Sequence, residues 1–233
     1  MAETAVIVGV GPGLGSSLVR KCAGEGMTVV AAARNAQQRT DLRSGTSADR
    51  VHLHDCDATS PEAVAELFRF TDRFGAPDLV VFNAGVFEQG TVLETDPADF
   101  ERCWRTGCFA GFLVAQSAAR RMVDKASGTI IFTGATASLR GSAGFVNLAS
   151  PKFALRALSQ SMARELGPRG VHVAHVVIDG QIRSPRYEQL VDERGPDSLL
   201  EPDQIANAYV ALHRQHRSAW TLELDLRPWM ERF

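Results

Sequence analysis

The sequence predicts an α/β fold: one doubly wound parallel sheet of about seven strands with helices on both faces. Three observations carry this. Short apolar runs alternate with longer helical patterns along the whole chain. Its 233 residues suit one large domain, 1–233. The first apolar run ends in a glycine-rich turn that leads straight into a helical pattern.

The elements follow in order. Residues 4–10 (TAVIVGV) form a buried-strand run, and 14–24 a helix. Residues 27–33 (MTVVAAA) are a second strand and 51–54 a short third. Residues 61–74 are an amphipathic helix, with Ser60 as N-cap and Pro61 at its first position. A fourth strand spans 79–82, and a long helical stretch, in one or two pieces, spans 97–124. Then come a fifth strand at 129–133, a helix at 151–166 and a sixth strand at 171–178. A helix at 202–213 and a strand at 221–226 end the series. The helix at 151–166 is open at its start. Ser150-Pro151 reads as a cap and first helical residue, but the helix can equally begin earlier with Pro151 in its first turns. Strand–helix–strand repetition means right-handed crossovers, with ligands beyond the carboxyl ends of the strands.

Composition excludes several classes. Apolar residues make 45% and charged residues 22%, which excludes a disordered or fibrous chain. A net charge of -2 excludes a generally basic nucleic-acid binder. No apolar run approaches the roughly 18 residues of a membrane span. The start, Met1 to Thr4, has no basic segment, so no signal peptide is expected. Four cysteines are too few for a disulfide framework, which points to a reducing, cytoplasmic setting. Lys occurs only at 21, 125 and 152 among 25 basic residues, so a Lys retained at 152 invites a specific role.

The glycine turn, Gly9-Val10-Gly11-Pro12-Gly13-Leu14-Gly15, sits between a strand and a helix. Its glycines allow a tight turn and close approach of backbone to a pyrophosphate, and the helix N-terminus favours the phosphate charge. The second strand ends in Ala33-Arg34-Asn35. The acidic residue expected about 20 residues past the glycines, which selects NAD, is absent. Arg34 can instead pair with a 2′-phosphate, so NADP(H) is favoured over NAD(H).

With these residues the chain resembles the short-chain dehydrogenase/reductase family from residue 4 to about residue 225. Gly9, Gly13 and Gly15 fit the family's first motif, with Val8 in place of its Thr. Asp57, in Asp57-Ala58-Thr59, matches the adenine-contacting Asp, and Asn83-Ala84-Gly85 matches the Asn-Ala-Gly motif. The resemblance implies a Rossmann-type sheet, a bound nicotinamide dinucleotide and a homodimer or homotetramer. It also implies cofactor contacts at Gly11, Leu14, Asn35, Ala58, Gly180, Ile182 and Ser184, and a contact of Lys152 with the nicotinamide ribose.

The catalytic half departs from the pattern. The family uses Asn, Ser, Tyr and Lys. Lys152 falls on the Lys, but Leu148 stands at the Tyr, Ala135 at the Ser and Gly107 at the Asn. Thr136 is a candidate replacement for the Ser. Asp179 and Tyr187 are candidate proton donors, since general acid–base chemistry needs a titratable group near the reacting oxygen. Their plain readings are a loop-capping carboxylate and a packing residue. The paired histidines match no metal-ligand pattern, so no metal is expected, and Cys103 and Cys108 read as buried thiols. The sequence therefore suggests an NADP(H)-dependent oxidoreductase acting on a small carbonyl or alcohol with a non-standard proton donor. Two alternatives stay open: a cofactor-binding pseudoenzyme or regulatory subunit, and a non-redox isomerase, dehydratase or cyclase on the same scaffold. No nucleic acid or membrane partner is expected.

Overall fold

A computed structural model of the chain describes residues 2–43 and 48–231. Seven strands form one sheet: β1 Thr4–Val8, β2 Thr28–Ala33, β3 Val51–Asp55, β4 Leu79–Phe82, β5 Thr129–Thr133, β6 His172–Ile178 and β7 Glu223–Leu226. Their order is β3-β2-β1-β4-β5-β6-β7, and every neighbouring pair is parallel. The order reverses between β1 and β4, and this switch point is where such sheets open a crevice for ligands.

The helices are α1 Leu14–Gly24, α2 Pro61–Thr71, α3 Pro97–Trp104, α4 Ala110–Asp124, α5 Val146–Leu166, α6 Gln189–Arg194 and α7 Pro202–His213. Alternate strand residues face opposite layers. Ala5 and Ile7 pack with residues of α1 and α7, such as Leu18 and Ile205. Val6 and Val8 pack with residues of α2, α4 and α5, such as Phe68, Val114 and Leu155. Both faces of the central strands are apolar, as a sheet covered on two sides requires.

Several boundaries differ from the sequence reading. β1 stops at Val8 because Gly9 turns away at φ 99. The helix from Pro61 ends at Thr71, where a tighter turn takes over Asp72–Phe74. The 97–124 stretch is two α-helices joined by a π-turn, Arg105–Phe109. α6, in the polar segment after β6, was not anticipated.

Of the two starts the sequence leaves open for α5 the earlier one holds: the helix begins at Val146, with Pro151 inside it. Pro151 costs the helix one bond, that from its own nitrogen to the carbonyl of Asn147. Packing offsets this. Asn147 and Ala149 are buried, and the Pro151 ring lies against Gly107, where a Cβ would stand 2.8 Å from the proline Cβ. Leu148 therefore belongs to the first turn of α5, one turn before Lys152.

Candidate active site

The carboxyl ends of the strands open into a cleft of about 1340 Å³. That exceeds the usual 300–1,000 Å³ of a site for one drug-sized ligand.

One end is built by the glycine turn. A Cβ at Gly9 would stand 2.5 Å from the Ala84 nitrogen, so only glycine lets the β1 and β4 ends approach. Asn83 ties them together, donating from Nδ2 to the Gly9 carbonyl at 2.9 Å. Nothing lies within 4 Å of a Cβ placed on Gly11, which faces open space in the cleft wall. α1 starts behind Gly13, with no side-chain cap and no acidic residue in its first turn. Its end amides and partial positive charge suit a phosphate. Arg39 braces this turn, donating to the Val10 carbonyl at 3.0 Å and to Ser16 Oγ at 2.9 Å. Nothing in the local sequence marks Arg39, because its partners lie 29 and 23 residues away.

Beyond the ends of β2 and β3 the wall carries Arg34, Asp57 and Ala58. Asp57 Oδ1 accepts from the amide and hydroxyl of Thr59 at 2.9 and 2.8 Å. These bonds, with the charges of Arg34 and Arg105, hold its carboxyl below the usual range. Among the described residues the Arg34 side chain has no hydrogen bond or ion pair. A free cation beside a phosphate-suited turn fits a nucleotide that carries one phosphate more than its pyrophosphate. Asn35 does not line the cleft and instead precedes a short helical turn.

The other end holds the candidate catalytic groups. Lys152 is 8% exposed, and its Nζ donates to the Thr133 carbonyl at 2.7 Å. Thr133 is fixed in turn by its hydroxyl, which shares a 2.9 Å hydrogen bond with the buried Tyr209. Burial lowers the Lys152 pKa to about 8, because desolvation disfavours the ammonium. A Cβ on Gly85 would be 3.7 Å from Nζ, which places the amine at the foot of the Asn-Ala-Gly segment. Leu148, Ala135 and Thr136 line the wall beside it.

The structure brings Thr136 and Asp179 together across 43 residues: Thr136 Oγ1 donates to Asp179 Oδ1 at 2.5 Å. Arg227 stands 3.8 Å from the other carboxylate oxygen. Asp179 is buried and does not itself line the cleft, so it reaches the cleft through Thr136. Tyr187, Gly180, Ile182 and Ser184 line the cleft from the segment after β6. Gly13 lies off the cleft wall and packs near Ser184.

His175 lies under this floor. It is 1% exposed, and its Nδ1 lies 3.2 Å from Glu223 Oε2. Glu223 takes two further bonds from Arg156, at 2.6 and 2.7 Å. The ring presses on Gly134, where a Cβ would be 2.4 Å away. Burial lowers the His175 pKa to about 4, so the ring is neutral at ordinary pH. Among the described residues no three His, Cys, Asp or Glu side chains form a metal-binding group. Among the described residues no helix is long and apolar enough to cross a membrane.

Comparisons with known proteins bear on the family and the fold. The family model described as short chain dehydrogenase matches residues 3–194. Sorbitol-6-phosphate 2-dehydrogenase of Escherichia coli is 28% identical over 218 residues, covering 90% of this chain and 83% of that protein. A short-chain reductase of Streptomyces niveus is 28% identical over 231 residues, covering 97% and 87%. A short-chain dehydrogenase structure from Rhodopseudomonas palustris matches with a TM-score of 0.85 at 36% identity, covering 97% of this chain and 99% of that one. A metagenomic short-chain oxidoreductase, solved in complex with NADP, has the same fold at a TM-score of 0.83 and 24% identity, each chain 98% covered.

Proposed function

The chain belongs to the short chain dehydrogenase family, and on that premise we propose that it interconverts a hydroxyl and a carbonyl with NADP(H), Lys152 moving the proton. The observation that carries this is Lys152. It is a buried amine on the cleft wall with one hydrogen-bond acceptor, the Thr133 carbonyl, one turn after a leucine that can neither give nor take a proton.

NADP(H), when bound, supplies or accepts the hydride. The glycine turn and the α1 end amides would hold its pyrophosphate, and Arg34 its 2′-phosphate. Asp57 and Ala58 would meet the adenosine, and Asn83 to Gly85, Gly180, Ile182 and Ser184 the nicotinamide half. NAD(H) offers Arg34 no counterion, which is why NADP(H) is the stronger reading.

Lys152 does the work of acid and base. With its pKa near 8, both protonation states are populated around neutral pH, as efficient proton transfer requires. In the oxidising direction the uncharged Nζ takes the proton of the substrate hydroxyl. In the reducing direction the ammonium returns it to the oxygen. Thr136 lines the wall beside that oxygen. Its own hydrogen is committed to Asp179, so Oγ1 donates nothing to the substrate and the proton transfer rests on Lys152.

A second reading gives the proton to the Thr136–Asp179 pair, since the 2.5 Å bond joins a carboxylate to the cleft through one hydroxyl. The pH dependence of turnover separates the two, measured as NADPH formation or loss with a panel of simple alcohols and ketones. On the Lys152 reading, oxidation rises to a plateau above about pH 8 and reduction falls there. Lys152→Met removes this limb and most of the rate, while Asp179→Asn and Tyr187→Phe keep it. A limb that survives Lys152→Met and disappears in Asp179→Asn transfers the role to the pair.

A further inference from the structure

Two arginines on the cleft wall have no direct side-chain partner among the described residues. Of the five cations lining it, Lys152 binds the Thr133 carbonyl and Arg102 pairs with Glu88 and Asp99. Arg105 reaches the Thr59 carbonyl and lies over the Phe109 ring. Among the described residues, Arg34 and Arg140 make no side-chain hydrogen bond, ion pair or ring contact. Arg34 stands at the adenosine end, where the proposed cofactor brings a phosphate. Arg140 stands at the opposite end, where no phosphate of the cofactor remains to meet it.

Arg140 is exposed, and its backbone is held close to Thr136. It follows the helical turn Thr136–Ser138, and its amide donates to the Thr136 carbonyl at 3.2 Å. The acidic residue on the same wall, Glu101, is one helical turn before Arg105, and no ion pair joins it to Arg140. The cleft that Arg140 lines also has an apolar stretch. Leu139 is exposed beside it. Phe87, 54% exposed, meets Phe145 edge-on with ring centroids 6.1 Å apart, and Leu148 continues the wall toward Lys152. Exposed aromatic and aliphatic side chains at a cleft mouth mark a surface that a ligand covers.

Resting on the reading of the cleft as an NADP(H) oxidoreductase site, we propose that its substrate is an amphipathic carboxylate. The apolar body lies on Phe87, Phe145 and Leu148, and Arg140 holds the carboxylate. A guanidinium presents two parallel N–H groups that match a carboxylate, so this contact fixes the orientation of the substrate and adds affinity. Arg140 then decides which end of the molecule faces Lys152.

Calorimetry on the full chain tests this without turnover. The probes are 4-phenylbutyrate and octanoate, each against its neutral amide, with and without NADPH. The expected result is that at least one acid binds tenfold or more tightly than its amide. Arg140→Gln removes that difference, and Arg140→Lys keeps part of it. An NADPH titration of Arg140→Gln is expected to match the wild type, which shows an intact fold and cofactor end. Equal binding of acid and amide, an unchanged preference in Arg140→Gln, or no binding of either acid overturns the proposal. Failure of NADPH to bind overturns the oxidoreductase reading instead, and the carboxylate preference is still decided by the cofactor-free arm.

Discussion

At the scale of single residues, the two ends of the cleft rest on different physics. At Arg34 it is charge. A hydrogen bond to a charged group is worth about 2 kcal/mol, roughly thirtyfold in affinity. Arg34→Asp is therefore expected to weaken NADPH binding by at least that factor and to leave NADH binding within a few-fold. Equal losses for both would contradict the role given to Arg34. At Lys152 it is burial, which brings an amine to a pKa of about 8 without a tyrosine beside it. The glycine turn was legible in the sequence because its requirements are local: strand, turn and helix follow within a dozen residues. Lys152 was legible through the resemblance and through the rarity of Lys. Asp179 and Thr136 were each legible as candidates, but not as a hydrogen-bonded pair, since their contact spans 43 residues. The His175–Glu223–Arg156 cluster gave no signal, because its members are 48 and 67 residues apart.

At the scale of elements, α5 decides what the site can become. Starting at Val146, it puts Leu148 and Lys152 at i and i+4, on one face. Leu148→Tyr combined with Ala135→Ser is therefore expected to place a phenol near Nζ and raise carbonyl reduction tenfold or more, read as NADPH consumption. No gain would mean that the first turn of α5 aims position 148 elsewhere. The third missing family residue cannot be restored alone. A side chain at Gly107 would run into Pro151, whose Cβ is 2.8 Å from the nearest added atom. Gly107→Asn is expected to lower stability by about 1–3 kcal/mol, the usual cost of overpacking, read by chemical denaturation. The strands were legible because apolar runs bounded by turns have few other solutions. The start of α5 was not, because Ser150-Pro151 is a good local cap signal that tertiary packing overrides. The π-turn at Arg105–Phe109 likewise had no local signature beyond Gly107.

At the scale of the whole molecule, both faces of the sheet are sealed by helices, and several ionisable groups are sealed with it. His172 and His175 are buried and His213 is partly buried, and desolvation lowers the pKa of each. Unfolded, they take protons below about pH 6.5. Folded, they resist them, so the unfolded state binds more protons as pH falls from there toward 4, and stability falls with it. The melting temperature is expected to drop by several degrees between pH 7.5 and 5.5, and less in His175→Gln measured against its own pH 7.5 value. A flat profile over that range would contradict the neutral burial of these rings. The sheet order was legible as a class from alternation alone, while the cleft emerges only when seven strand ends meet. The account as a whole depends on that cleft holding a phosphorylated nicotinamide dinucleotide. The most direct measurement is a fluorescence titration of the purified protein with NADPH and, in parallel, NADH. Micromolar NADPH binding with NADH at least tenfold weaker is the predicted result. No binding of either, or equal binding of both, would contradict it.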